Sequence, residues 1–248
     1  MAKENGASYP DLADEDALQT IISGAAQKDP KLAFDLLDKG NPDDLADGIS
    51  SIAEAAKNGE QRTAILNELR TRLAKISDPA EREEYLQGAL ESMAQNLTKE
   101  SFESLESWMK TAKLSPEENA HFVSGLSYDE TQQDTGRWVE WMQNHIPKDQ
   151  LVDRVDGLVG QWTQEDYVAA GKWLTTAPPG PAKDAAISSY ALTVAEYEPQ
   201  TAVQWALTLP EGEMRTGTLQ GIYDNWPKND AAAATVFARQ HGITINGN

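Results

Sequence analysis

One motif occurs twice in this chain, 32 residues apart, and it constrains the fold more than any other feature. Ala170-x-x-Trp173-Leu174-x-x-Ala177-Pro178-x-Gly180-x-x-Lys183 returns as Ala202-x-x-Trp205-Ala206-x-x-Leu209-Pro210-x-Gly212-x-x-Arg215. The same step reaches back to Trp141 and forward to Phe237, and a step of 33 continues to Trp108. The residues between keep time as well. Val123, Val155, Ile187 and Leu219 form one series, and Leu126, Leu158, Tyr190 and Ile222 form another. A fixed period of this length marks a supersecondary unit that buries its apolar face only against its neighbours.

The register inside each unit is helical. Trp138, Trp141, Met142 and His145 fall at i, i+3, i+4, i+7, as do Ala170, Trp173, Leu174 and Ala177. Ala202, Trp205, Ala206 and Leu209 repeat the pattern, and Ala234, Phe237, Ala238 and His241 make a fourth copy. A second helix follows in each unit, with Val155, Leu158, Val159 and Trp162 on its apolar face, and later Leu219, Ile222, Tyr223 and Trp226. Such spacing defines one face of an α-helix, and no alternating run suggests a strand. The expected fold is all-α: a right-handed α-solenoid of stacked antiparallel helix pairs. Trp108, Trp141, Trp173, Trp205 and Phe237 are expected in the core, each closing the seam between neighbouring pairs.

Upstream of residue 98 the pattern is helical without a clear repeat. Asp29-Pro30 and Asp78-Pro79 each offer a capping carboxylate followed by proline in the first turn. Ser115-Pro116-Glu117-Glu118 is the clearest start signal, because Glu118 can return the bond that Ser115 gives. A helix is expected to begin near Thr98, and Asn96-Leu97-Thr98 is read as a helix boundary. The domain reading is a flexible acidic segment over 1–13, one helical-repeat domain over 14–242 with clear repeats over 98–241, and a loose tail over 243–248.

Charge and composition exclude several functions. Lysine plus arginine number 21 against 40 acids, a formal charge of −19. Such a surface repels phosphate backbones, so nucleic acid is a poor partner and a basic protein or peptide suits better. No cysteine is present, which removes disulfides, thiolate catalysis and cysteine-bound metals. No apolar run approaches the ~20 residues of a spanning helix, so membrane insertion is not expected. The start of the chain lacks the apolar core of a signal peptide. The compartment therefore stays open between the cytoplasm and an exported protein whose leader has been removed.

No catalytic constellation stands out, and neither an enzymatic activity nor a cofactor is expected. His121, His145 and His241 have no second histidine at metal-ligand spacing, and no H-E-x-x-H pair occurs. His145 and His241 share a register position at helix ends, where an imidazole meets the negative end of the helix dipole. The acidic turn from Asn41 to Gly48 fails the calcium-loop spacing. Asp11, Asp14, Glu15 and Asp16 read as a solvated flank.

A two-helix unit of this length resembles the tetratricopeptide class of helical repeats, in architecture rather than signature. That family sets Leu-Gly and then tyrosine after its tryptophan; Trp205 is followed by Ala206-Leu207-Thr208-Leu209-Pro210. The A-x-x-W motif also resembles bacterial helical-repeat arrays. The resemblance implies a superhelical scaffold that binds a protein or peptide, and it carries over no catalytic residue. The candidate partner surface is polar positions on the first helices: Glu140, Gln143, Asn144, Lys172 and Gln204. Two other functions fit the same residues: a carbohydrate-binding or carbohydrate-active helical protein, and a structural spacer of a larger cell-envelope protein.

Overall fold

The computed structural model describes residues 15–41, 44–127 and 134–244. The acidic segment 1–13, Asp14, the turn residues 42–43 and the tail from 245 lie outside the described residues. Among those described there are thirteen α-helices, one short 3-10 turn and no strand, so the chain is all-α. It divides into two compact units, 1–127 and 128–248.

The first unit holds α1 (Glu15–Ala26), α2 (Pro30–Leu37), α3 (Leu45–Glu54), α4 (Gly59–Leu73), α5 (Pro79–Glu100), α6 (Phe102–Ala112) and α7 (Pro116–Ser124). Its starts follow the sequence signals. Asp29 and Asp78 accept from the backbone N–H groups of Leu32 and Ala80, and the Ser115–Glu118 capping box is formed in both directions. One boundary differs from expectation. Thr98 is buried inside α5, its hydroxyl donating to the Ala94 carbonyl, and Ser101 caps α6 by accepting from Ser104 N–H. Asn96 also lies within α5 and donates to the Glu54 carbonyl at 2.7 Å. Serine reaches the N3 backbone at Ser101, and that hydrogen bond decides where the new helix begins.

Arginines tie this unit together across helices. Arg70 forks onto Glu118, with Nε and Nη2 each 2.7 Å from a carboxylate oxygen. Arg72 bonds Asp35, Asp38 and Glu68 while lying over the Phe34 ring. His121 sits 2.6 Å from Glu83.

The second unit holds α8 (Thr135–His145), α9 (Lys148–Thr176), α10 (Pro181–Val194), α11 (Pro199–Ala206), α12 (Glu213–Asp224) and α13 (Ala231–His241). Helix α9 spans the second helix of one sequence unit and the first of the next. Non-helical dihedrals at Asp166 break it, and the Asp166 carboxylate caps the second arm at Ala169 N–H. The repeat is visible in the backbone. Asp134, Asp166, Glu198 and Asp230, each 32 residues from the next, stand at the starts of successive first helices with φ of −124°, −150°, −133° and −125°.

Gly180 and Gly212 adopt φ of +153° and +152°, a region that side chains disfavour. The basic residue three positions later has a purpose that spacing alone did not reveal. Lys183 donates to the Ala177 carbonyl at 2.9 Å, and Arg215 donates to the Leu209 carbonyl at 2.7 Å. Each caps a carbonyl left free at the end of the preceding helix.

The second-helix series is buried throughout, from Val123, Val155, Ile187 and Leu219 to Leu126, Leu158, Tyr190 and Ile222. The aromatic ladder is only partly hidden. Trp108, Trp141 and Phe237 are buried, at 1%, 8% and 5% exposure, whereas Trp173 and Trp205 are half-buried. The expectation of a fully hidden ladder is therefore corrected at two rungs. Trp173 turns its indole N–H onto the exposed Glu140 carboxylate at 3.0 Å, which keeps one edge of the ring at the surface. The rings still meet across consecutive helical segments: Trp162 with Trp173, Tyr190 with Trp205, and Trp226 with Phe237, at centroid distances of 5.7, 5.9 and 5.1 Å. The tail is tied at its described end, because Gln220 exchanges hydrogen bonds with the backbone of Thr244.

Candidate functional site

A concavity of the first unit runs between α4 and α6. Glu60, Thr63, Ala64 and Asn67 occupy i, i+3, i+4, i+7 on α4, and Ser104, Ser107, Trp108 and Thr111 do so on α6. Both helices therefore turn a face of short side chains toward one groove of about 800 Å³. Long side chains would fill it; hydroxyls, an amide and a methyl leave it open.

The floor is fixed by Trp108. Its Nε1–H donates to Thr63 Oγ1 at 3.1 Å, and the Thr63 hydroxyl donates in turn to the Gly59 carbonyl at 2.8 Å. Gly59 lets the ring lie close, since a Cβ there would stand 3.3 Å from Trp108 Cδ1. Phe122 supports the indole from beneath, with ring centroids 5.0 Å apart. Asn58 caps α4 at the groove's end by accepting from Gln61 N–H. Glu100 at the same end pairs with Arg62, whose guanidinium is 1% exposed. That pair anchors the last turn of α5 to α4, because an unpaired buried guanidinium would cost several kcal/mol (about 3–5).

Charges at the rim are mixed: Lys57 against Glu60 and Glu103. No histidine among the described residues lines the groove. Among the described residues no group of three or more histidines and carboxylates is placed to hold a metal ion, and no helix is long and apolar enough to cross a membrane. The arrangement suits hydrogen bonding to a polar ligand surface.

The five residues expected to form a partner surface all lie in the second unit. Glu140 and Asn144 are exposed on α8, Lys172 on the second arm of α9 and Gln204 on α11. Gln143 is half-buried and packs against Gly180, where an added Cβ would collide with its amide oxygen. Glu140 and Gln143 thus hold the next segment of the chain, Glu140 through Trp173 and Gln143 through the Gly180 turn. His145 stacks on Trp141 with ring planes 4° apart and donates from Nδ1 to the Trp141 carbonyl at 2.8 Å. His241 likewise lies against Phe237.

Sequence reasoning passed over the α4–α6 groove because it followed apolar stripes. The available signal was the opposite one: two helical faces on which six of eight positions are serine, threonine, asparagine or alanine, in a chain that is 25% charged.

A family model described as the DnaB-helicase binding domain of primase matches residues 55–89, which span α4 and the first half of α5. No curated protein and no solved structure matches the chain.

Proposed function

We propose that this chain is a non-enzymatic helical-repeat scaffold that binds a protein or peptide partner, using the α4–α6 groove of its first unit. The observation that carries the reading is the family match, which falls on α4, one wall of that groove. The family's named domain binds a DnaB-type helicase, so a helicase of that kind is the first partner to test. The groove offers a peptide donors and acceptors along two helical faces, above a floor stiffened by the buried Trp108. In this reading the helix pairs stack as an α-solenoid, and Glu140, Gln143, Asn144, Lys172 and Gln204 form a second polar contact surface.

The test is binding of the purified chain to a DnaB-type helicase by biolayer interferometry. Asn67→Arg and Ser107→Arg place long side chains in the groove on exposed helical positions, so folding should be unaffected by circular dichroism. Each should weaken binding by about tenfold or more, as a loss of central contacts does. Absence of helicase binding would reject that partner; binding that ignores both variants would reject the groove.

A carbohydrate ligand is the second reading, and the half-buried Trp173 and Trp205 favour it. Titration of tryptophan fluorescence with mixed oligosaccharides separates the two, since an indole in contact with sugar changes its emission and one engaged only in packing does not.

A further inference from the structure

The second unit contains a different kind of concavity. It lies where α9 breaks, against the C-terminal end of α10 and Asn225, the residue that follows α12, with a volume of about 600 Å³. Tyr167 and Tyr197 line it at 48% and 81% exposure, the latter the most exposed large side chain with apolar character among the described residues. Neither phenol is consumed by packing. Glu196 and Glu198 also line it, and among the described residues no lysine or arginine does. Glu198 spends one carboxylate oxygen on the Thr201 hydroxyl at 2.9 Å, and no described cation pairs with either glutamate. Thr193 and Asn225 add polar walls.

Three independent features there favour positive charge. Tyrosine faces attract cations through the ring quadrupole. Two carboxylates stand without a counter-charge. The C-terminal end of α10, with Val194 as its last residue, points the negative end of its dipole toward the same place. A neutral apolar guest would desolvate the glutamates without compensation, and an anion would be repelled.

We propose that this pocket takes the cationic side chain of a basic peptide, an arginine or lysine seated against Tyr197 and Tyr167 and paired with Glu196 and Glu198. Its occupant is a segment of a protein partner in the sense already proposed, yet the cation preference rests on this pocket's residues and not on the groove.

The experiment uses the full chain with a fluorescein-labelled tetra-arginine peptide, read by fluorescence polarisation at about 0.15 M salt. Tetra-citrulline, the neutral isostere, is the control probe. Tetra-arginine should bind and tetra-citrulline should not. Tyr167→Ala/Tyr197→Ala keeps every charge, so a general attraction to an acidic protein would leave its affinity unchanged; the pocket requires a loss of about 3- to 10-fold. Glu196→Gln/Glu198→Gln should lose a comparable factor. Equal binding of tetra-citrulline, or full affinity in the tyrosine variant, overturns the proposal. The groove variant Ser107→Arg should lose the protein partner and keep the peptide; a peptide affinity that falls with it instead overturns the assignment to this pocket.

Discussion

Glu118 does two tasks with one carboxylate. It completes the capping box at Ser115 and receives the fork of Arg70. The Arg70 hydrogen bonds hold its carboxyl below the usual glutamate range, against an opposing push from burial, and the Ser115 backbone N–H adds to the lowering. A group whose folded value is depressed contributes stability that is fully present above its unfolded value, about 4.3, and that disappears as pH falls through the folded value. Glu118→Gln should therefore cost about 2 kcal/mol at pH 7, the scale of hydrogen bonds to charged groups. The cost should shrink as pH falls below the unfolded value and vanish once pH has passed below the folded one. Urea denaturation of both proteins across that range checks it; a cost independent of pH would show that shape, not charge, matters there. The cap was legible in Ser115-Pro116-Glu117-Glu118. Arg70 was not, because it lies 48 residues away and no local period links the two. The same distinction applies to the tryptophans. Trp108→Ala should destabilise by about 3–5 kcal/mol, as truncation of a buried ring does. Trp173→Ala, at a half-buried ring, should cost about 1–2 kcal/mol. Chemical denaturation of the pair measures the difference, and equal costs would contradict the burial seen here. Periodicity placed both rings on an apolar stripe, but it carries no information on how many neighbours close over each.

Helices and turns were the most readable level. The repeated motif predicted the pairing of Gly180 with Gly212 and of Lys183 with Arg215, and the backbone gives each pair one conformation or one partner type. The periodicity expected separate helices before and after Asp166 but not which residue divides them, since neither glycine nor proline marks the break and a single aspartate performs the capping. The α4–α6 groove was hidden for another reason: two faces of small polar residues become a site only when tertiary packing sets them opposite each other. The two glycines provide a comparison that the sequence could not offer. Both hold φ near +150°, so alanine is strained at either. At Gly212 nothing stands near an added Cβ, whereas at Gly180 the Gln143 amide occupies that space. Gly212→Ala should cost about 1–2 kcal/mol from backbone strain alone. Gly180→Ala should cost roughly 1 kcal/mol more, because Gln143 must leave its place over the turn. Thermal denaturation monitored by circular dichroism ranks the two variants. Equal costs would mean that Gln143 swings aside freely, and Gln143→Ala should then change nothing when combined with Gly180→Ala.

At the scale of the whole molecule two electrostatic effects oppose each other. Ion pairs such as Arg70–Glu118 and the Arg72 cluster stabilise the fold and weaken as salt rises. Self-repulsion of a chain with formal charge −19 destabilises it and also weakens as salt rises. Counting decides between them. Only 21 cations face 40 acids, so one-to-one pairing leaves 19 acids without a cation. The arginine pairs are short and partly shielded, which screening affects little, while the unpaired acids interact through solvent over distances that screening cuts from about 30 Å at 0.01 M salt to about 10 Å at 0.1 M. Repulsion therefore responds more strongly. The thermal midpoint should rise by a few degrees, roughly 2–6 °C, between 0.01 and 0.3 M sodium chloride at pH 7. Arg72→Met should lower the midpoint at every salt concentration and leave the upward slope intact, because the slope belongs to the excess of acids. A midpoint that falls with salt would assign the stability of this chain to its ion pairs, and the acidic surface would then be held in balance by contacts among its own side chains.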